Sequence, residues 1–570
     1  MSERYGHLSA ALCLSVFLLL SLTSVSRKSP TVDEPVYLAA GYSYLVTREI
    51  RLSPEHPPLI KMIAAAPLLL LDLDFRKDDL SSLEGFIDFH AKFLFRNSLP
   101  ADVIIFWGRF PLVLIGAALG WFTFWWSRQL AGTLAGLLAL ALYVLDPNVM
   151  AHSQLVTMDA GLAAFFALAV YALVRYLVHP TKLTLWTAGG AFALAMLAKF
   201  PAVFLIPIYT LVSFVQRVRG GWSALWPCWW RLSAVMVITT MVLAFAAYGF
   251  ETRTIGQAPP SVVNFLERHT APSSAVRKVI LAVVSYVPIP APSFWRGMIN
   301  RAGASGFASY LRGQRYVGSR PDYLPVAFAV KTPIGTMVLF FVASVIFAYR
   351  VLLARGRGEA SLDERAILLA VLMFFGLAMF IKQNIGLRYV LPVYPLIFIF
   401  TAVQLHWLYS RGGRWRPIVA SVVVALVTFV ALSSLRTYPH YLAYFNELAG
   451  GPQNGWRYLV DSNLDWGQDL PGLKTYVKQH NLDEVYLDYF GPTRCWRGIC
   501  SEVLDYYGIR WKPVPSAEEV ARTGPPRGVV VVSLSRLILF YPKDSWLWAY
   551  QPTATIGHSI WIFDFRGTSH

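Results

Sequence analysis

The chain has 570 residues, of which 56% are hydrophobic, 15% aromatic and only 15% charged. Soluble globular chains carry roughly a quarter charged residues, so this composition excludes that class and points to a polytopic membrane protein. The net charge of +17 does not point to nucleic acid, because no basic run stands apart from the apolar spans; it fits Lys and Arg kept in cytoplasmic loops against anionic headgroups.

In chain order the sequence gives about eleven spans, each near the roughly 20 apolar residues a bilayer needs. They lie at 8–26, 102–126, 131–146, 159–177, 184–198, 201–216, 232–250, 324–349, 366–382, 387–409 and 416–435. Basic residues gather in alternate loops, at Arg128, Arg175, Lys182, Arg217, Arg219, Arg231, Arg350, Arg355, Arg357, Arg365, Arg411, Arg414 and Arg416. Those loops are expected in the cytoplasm. No A-x-A site precedes Ser26-Arg27-Lys28, so the first span reads as an uncleaved anchor rather than a signal peptide.

Three large segments then face outward: 27–101, 251–323 and 436–570. In the first, Tyr37–Val46 and Leu59–Leu71 are too short to span and read as interfacial helices, as does Ile280–Tyr286 in the second. The tail changes texture. Leu473–Gln479 and Ser516–Thr523 look helical, whereas Glu484–Tyr489, Gly528–Ser533 and Ser559–Asp564 look like strands. The expected fold is an all-α polytopic membrane domain, 1–435, with outer interfacial helices, followed by a small α/β domain, 436–570. Four cysteines are too few for a disulfide framework; a Cys495–Cys500 pair stays open if the tail is exported.

The unusual polar residues fall on one face of this topology. Asp33, Glu34, Glu55, His56 and Lys61 lie in the first outer loop, Arg109 below the outer end of the second span, and Asp159 at the start of the fourth. Lys199, Lys331 and Arg388 sit at or just inside outer turns. Ionisable groups at membrane depth are costly and default to functional hypotheses. Cations there suit a phosphate at headgroup level, and carboxylates suit general-base work on a hydroxyl. Each has a structural alternative: Asp33-Glu34 as a helix N-terminus, His56-Pro57-Pro58 as a rigid turn, Asp159 as a cap, and the cations as residues snorkelling to headgroups. Asp72-Leu73-Asp74 has the look of a metal motif but ends an interfacial helix. Asp461-Ser462-Asn463-Leu464-Asp465 has calcium-loop spacing without the glycine at the sixth position, where Trp466 stands, and reads as a turn. No Walker or dinucleotide motif is present.

The string Asp33-Glu34-Pro35…Tyr37…Gly41…Tyr44…Pro54-Glu55-His56-Pro57-Pro58-Leu59…Lys61 resembles the first outer loop of GT-C glycosyltransferases. It is most similar to the bacterial relatives of protein O-mannosyltransferases and lipid A aminoarabinose transferase. Met158-Asp159, Ala198-Lys199, Lys331-Thr332-Pro333 and Arg388-Tyr389-Val390-Leu391-Pro392-Val393-Tyr394-Pro395 are similar to further segments of that branch, and the resemblance covers about 20–435. It implies inverting transfer of a sugar from a polyprenyl-phosphate donor to a protein, lipid or glycan acceptor, outside the cytoplasmic membrane. It also implies Asp33 as base, with Glu34 sharing that role or orienting the acceptor. Arg388 and Lys199 would hold the donor phosphate, helped by Lys61, Arg109 and Lys331. His56, Glu55, Asp159 and Tyr389 would support the acceptor side. Metal dependence stays open, a divalent ion included. The rival reading is a lipid-linked glycan flippase or polymerase, but that would want charge through the middle of the membrane.

Overall fold

The computed structural model describes residues 3–75, 83–217, 222–254, 274–303, 306–353, 360–491 and 501–567; the Cys495–Cys500 pairing lies outside them. The first half is a succession of helices: α1 (Glu3–Val25), α2 (Glu34–Thr47), α3 (Leu59–Ala65), α4 (Leu83–Phe95), α5 (Ala101–Ala131), α6 (Thr133–Val144), α7 (Pro147–Ser153), α8 (Met158–Val178), α9 (Lys182–Ala198), α10 (Leu205–Arg217) and α11 (Trp222–Ala247). Helices Pro292–Gly303, Tyr323–Lys331, Ile334–Leu353, Leu362–Ala378, Tyr394–Arg411 and Arg416–Thr437 follow.

Among the described residues, seven helices are long and apolar enough to cross a membrane, and an eighth is counted if α6 and α7 form one span bent by 67°. The protein is therefore a multi-pass membrane protein. The other expected spans near 184–198, 201–216 and 366–382 are present as shorter helices. The α6–α7 bend sits at Asp146-Pro147, where the Asp146 carboxylate accepts from the backbone N–H of Asn148 (2.9 Å) and Val149 (3.0 Å) and Pro147 occupies the first turn. The expected 324–349 span is broken at Thr332, extended before Pro333. The 387–409 span opens as a 3-10 turn, Leu387–Val393, because Pro392 removes a ladder donor.

α2 and α3 are more enclosed than interfacial helices need be. Tyr37, Leu38, Ala39, Ala40, Tyr42 and Tyr44 are all buried, and α2 packs on α3, α4 and α5. A methyl group on Gly41 would come 2.1 Å from the Lys61 carbonyl oxygen, so glycine sets how closely these two helices meet.

The tail carries a five-stranded sheet of order β6-β5-β7-β9-β8: β5 (Val485–Asp488), β6 (Trp511–Lys512), β7 (Val529–Ser533), β8 (Ala554–Ile556) and β9 (Ile560–Asp564). β5 runs parallel to β6 and β7, whereas β9 runs antiparallel to β7 and β8. The expected strands and both expected helices are there; β6 and β8, at two and three residues, left no readable alternation. Earlier in the chain β1 (Thr252–Arg253) pairs with β2 (Ile289–Pro290), and β3 (Ala308–Leu311) with β4 (Gln314–Val317). The tail does not stand off from the helices: buried Tyr441, Leu459, Val460, Leu464 and Trp466 share one apolar cluster with Leu387, Val390 and Tyr394.

Candidate active site

Four charged side chains meet where the start of α2, α8, the turn after α9 and the 3-10 turn at 387–393 converge. Asp33 is the N-cap residue of α2, yet its carboxylate makes no capping bond. It faces Arg388, whose Nη1 donates to Oδ2 at 3.3 Å. The same Nη1 lies 3.8 Å from Asp159 Oδ2. Asp159, in the first turn of α8, accepts from Lys199 Nζ at 2.6 Å. Lys199 is in extended conformation where α9 ends, which turns it back toward α8. A chain of alternating charge therefore runs Asp33–Arg388–Asp159–Lys199.

Aromatic rings wall this chain. Arg388 lies 4.2 Å from the centre of the Trp466 ring and 5.9 Å from that of Tyr389, and Lys199 lies 5.1 Å from Tyr389. Tyr37, one helical turn after Asp33, donates its hydroxyl proton to Asp33 Oδ2 at 3.4 Å. Arg301, in the helix Pro292–Gly303, donates to the Tyr389 hydroxyl at 3.3 Å. Asp33 keeps 27% of its side-chain surface open, against 8% for Arg388 and 2% for Asp159. The carboxylate is thus the accessible member of the set. Burial among protein groups pushes its pKa above the ordinary carboxylate range, although Arg388 pulls the other way. Two polar atoms of the set, Arg388 Nε and Asp159 Oδ2, are buried without a hydrogen-bond partner among the described residues.

The remaining sequence candidates divide differently. Glu34 is fully buried and accepts five hydrogen bonds, from Thr31 N and Oγ1, Arg109 Nε and Nη2, and Val156 N. Arg109 spends its five N–H groups on Glu34 and on the carbonyls of Val25, Lys28 and Ser29. The pair ties α5, the first outer loop and the start of α8 together, and neither member has a free polar edge for substrate. Lys61 gives its three protons to Ser53 O, Ser53 Oγ and His56 O, and burial brings its pKa down to about 7. Glu55 accepts from Ser53 Oγ at 2.5 Å. Lys331 donates to the carbonyls of Leu442 and Asn463 and so pins the tail. His56 packs edge-on to Tyr37 at 5.8 Å with Nδ1 unpartnered. Burial, then Lys199 and Arg301, hold its pKa well below the ordinary histidine value, so the ring stays neutral.

Arg301, Trp466 and Tyr37 were not assigned roles from sequence. Tyr37 carried a usable signal, four residues after Asp33; Arg301 and Trp466 sit in segments whose path no pattern fixes. Asp72 and Asp74 are exposed, and their backbone is tied to Asn97 and Ser98, away from the charge chain. The 461–469 segment is a turn whose carboxylates are spent internally: Asp465 accepts from Gly467 N and Ser535 N, and Asp469 pairs with Lys28 at 2.5 Å. Among the described residues no group of three His, Cys, Asp or Glu side chains is arranged to hold a metal ion.

Residues 31–252 match the family model of dolichyl-phosphate-mannose-protein mannosyltransferase. Among solved structures, the S. cerevisiae protein O-mannosyltransferase Pmt1-Pmt2 complex bound to the sugar donor has a TM-score of 0.52 at 11% identity, covering 77% of this chain and 90% of that one. ArnT from Cupriavidus metallidurans bound to undecaprenyl phosphate covers 97% of both chains at 14% identity and a TM-score of 0.42. The oligosaccharyltransferase AglB from Archaeoglobus fulgidus covers 92% of this chain and 70% of that one, at 13% identity and 0.46. No curated protein matches the sequence. The chain shares its overall fold with the S. cerevisiae protein O-mannosyltransferase structure. The family match spans Asp33, Asp159 and Lys199.

Proposed function

We propose that the protein transfers a sugar from a polyprenyl-phosphate donor to an acceptor hydroxyl at the outer face of the plasma membrane, with inversion at the anomeric carbon. The observation that carries this reading is the charge chain itself. It offers an accessible carboxylate beside an arginine with an unpartnered Nε, and a lysine held by a second carboxylate.

The acceptor hydroxyl attacks the anomeric carbon and Asp33 takes its proton. Arg388 and Lys199 face the departing lipid phosphate, whose developing charge they stabilise; a phosphate leaves without a general acid. Asp159 is a positioning residue that holds both cations at one point. Tyr37 fixes the Asp33 carboxylate. Glu34, Arg109, Lys61 and Lys331 build the walls rather than touch substrate, because their polar atoms are spent on the protein. In this reading residues 1–435 do the chemistry and 436–570 form an extracytoplasmic domain that closes over it through Trp466.

The test is donor turnover. Purified protein in nanodiscs is incubated with a panel of polyprenyl-phosphate sugars, and free polyprenyl phosphate is followed by mass spectrometry. Wild type is expected to consume one donor, and Asp33→Asn to do so on the order of 100-fold more slowly. Equal turnover by a folded Asp33→Asn protein refutes the assignment of the base.

A further inference from the structure

A second site lies outside the charge chain, where the β3–β4 hairpin of the second outer loop meets the tail. It is a groove of about 280 Å³ lined by Tyr310, Gly313, Arg315, Trp456, Ile538, Lys543 and Trp548. Its aromatic wall is built. Trp456 and Trp548 lie 6.0 Å apart and tilted by 37°, and Trp561 braces both edge-on at 5.3 and 6.0 Å. Such bracing holds the two rings as a rigid apolar surface, at little entropic cost to whatever packs on it. Arg315 and Lys543, both exposed, supply positive charge, and no carboxylate is among the lining residues. Arg315 spends one N–H on the Tyr541 carbonyl, which fixes its guanidinium and leaves the other donors for a ligand.

Flat apolar rings beside two cations, with no carboxylate in the lining, form the complement of one chemistry. A pyranose ring presents an apolar C–H face, hydroxyl acceptors and, in an acidic sugar, a carboxylate. The two segments that border the groove also reach the charge chain, the outer loop through Arg301 and the tail through Trp466. We propose that this groove binds an acidic saccharide of the acceptor, with its pyranose face on Trp456 and Trp548 and its carboxylate on Arg315 and Lys543. That the saccharide belongs to the acceptor rests on the transferase reading above; that the groove binds it does not.

The experiment is isothermal titration of the full-length protein in nanodiscs, with no donor present. The probes are trigalacturonate and its neutral counterpart, galactotriose. Wild type is expected to bind the acidic probe, and the double variant Arg315→Gln/Lys543→Gln to bind it about a hundredfold more weakly, since each lost charged hydrogen bond is worth about tenfold. Both positions are exposed, so the fold is retained. Trp548→Ala removes one of the two rings and is expected to weaken binding severalfold. Equal affinity for the two probes, unchanged affinity in the double variant, or no heat with trigalacturonate overturns the proposal. Because the titration reads binding without turnover, a protein that binds the probe but consumes no donor refutes the transferase reading alone.

Discussion

Asp33 and Glu34 are neighbours in sequence with opposite environments, and separating them is the sharpest test of the site. Glu34→Gln removes the charge from a carboxylate that receives Arg109 at 2.8 and 2.6 Å in bidentate fashion, with both partners at 1% exposure or less. The amide cannot accept from all five donors now served, and its own N–H₂ would point at N–H groups. Breaking a buried ion pair from one side costs about 3–5 kcal/mol. The three backbone carbonyls that also serve Arg109 hold the loss toward the lower end of that range. Asp33→Asn has the opposite profile. Its carboxylate is part-exposed, makes one long contact to Arg388 at 3.3 Å, and has its charged form disfavoured by burial, so neutralising it costs little stability. Thermal unfolding in detergent, followed by intrinsic fluorescence, and donor turnover per folded molecule give the two readouts. Glu34→Gln is expected to unfold several degrees lower, and Asp33→Asn to melt near wild type while losing turnover on the order of 100-fold. The reverse pattern, a stable Glu34→Gln protein with no turnover beside an active Asp33→Asn protein, would refute the division of roles.

Three further outcomes follow from the same geometry. The base must be ionised to act, and burial raises the Asp33 pKa, so the acid limb of kcat/KM against pH is expected above the ordinary carboxylate range; Arg388→Met removes the cation that lowers it and moves the limb to still higher pH, whereas an unmoved limb places the titrating group elsewhere. Gly41→Ala forces a methyl group to 2.1 Å from the Lys61 carbonyl, a backbone atom that cannot swing aside, and is expected to destabilise the protein by about 1–3 kcal/mol, read as a lowered melting temperature. Asp469→Asn leaves Lys28 and His440 without the carboxylate they share at 2.5 and 3.4 Å; proteolysis of the tail is expected to accelerate, and wild-type cleavage rates would show that this clamp does not hold the tail down.

The helical framework was legible because its signal is one-dimensional. A run of apolar residues long enough to cross a bilayer needs no knowledge of its neighbours, although the break at Thr332-Pro333 inside the expected 324–349 span went unread. The candidate site was legible as an inventory: a charge placed among apolar residues is costly wherever it packs. Pairing was not legible. Arg109 meets Glu34 across 75 positions and Arg388 meets Asp33 across 355, distances over which only the packed fold fixes partners. Sequence alone therefore grouped nine cations and acids as one site. The structure separates those saturated by protein donors and acceptors, Glu34, Arg109, Lys61 and Lys331, from those left with unspent polar atoms. Arg301 gave no signal because its segment, unlike a span, has no costly environment to mark it.

That separation bears on how the proposed reaction balances charge. Before transfer, Asp33 and Asp159 offset Arg388 and Lys199, and the donor enters as a phosphodiester with a single negative charge. As the bond to the sugar breaks, the lipid phosphate gains charge while the proton from the acceptor neutralises Asp33. The sum over the site is unchanged, which matters where little water is present to screen a new charge. Arg388 links the two events, since its Nη1 contacts Asp33 at 3.3 Å and its Nε is unspent. Neutralising Asp33 weakens that contact at the moment the phosphate strengthens its claim on the guanidinium. Lys199, held at 2.6 Å by a carboxylate that takes no proton, cannot exchange partners in this way. Arginine at 388 is therefore the residue whose geometry couples proton transfer to departure of the phosphate, and a lysine there, with a single point of charge and no fork, would contact one partner at a time.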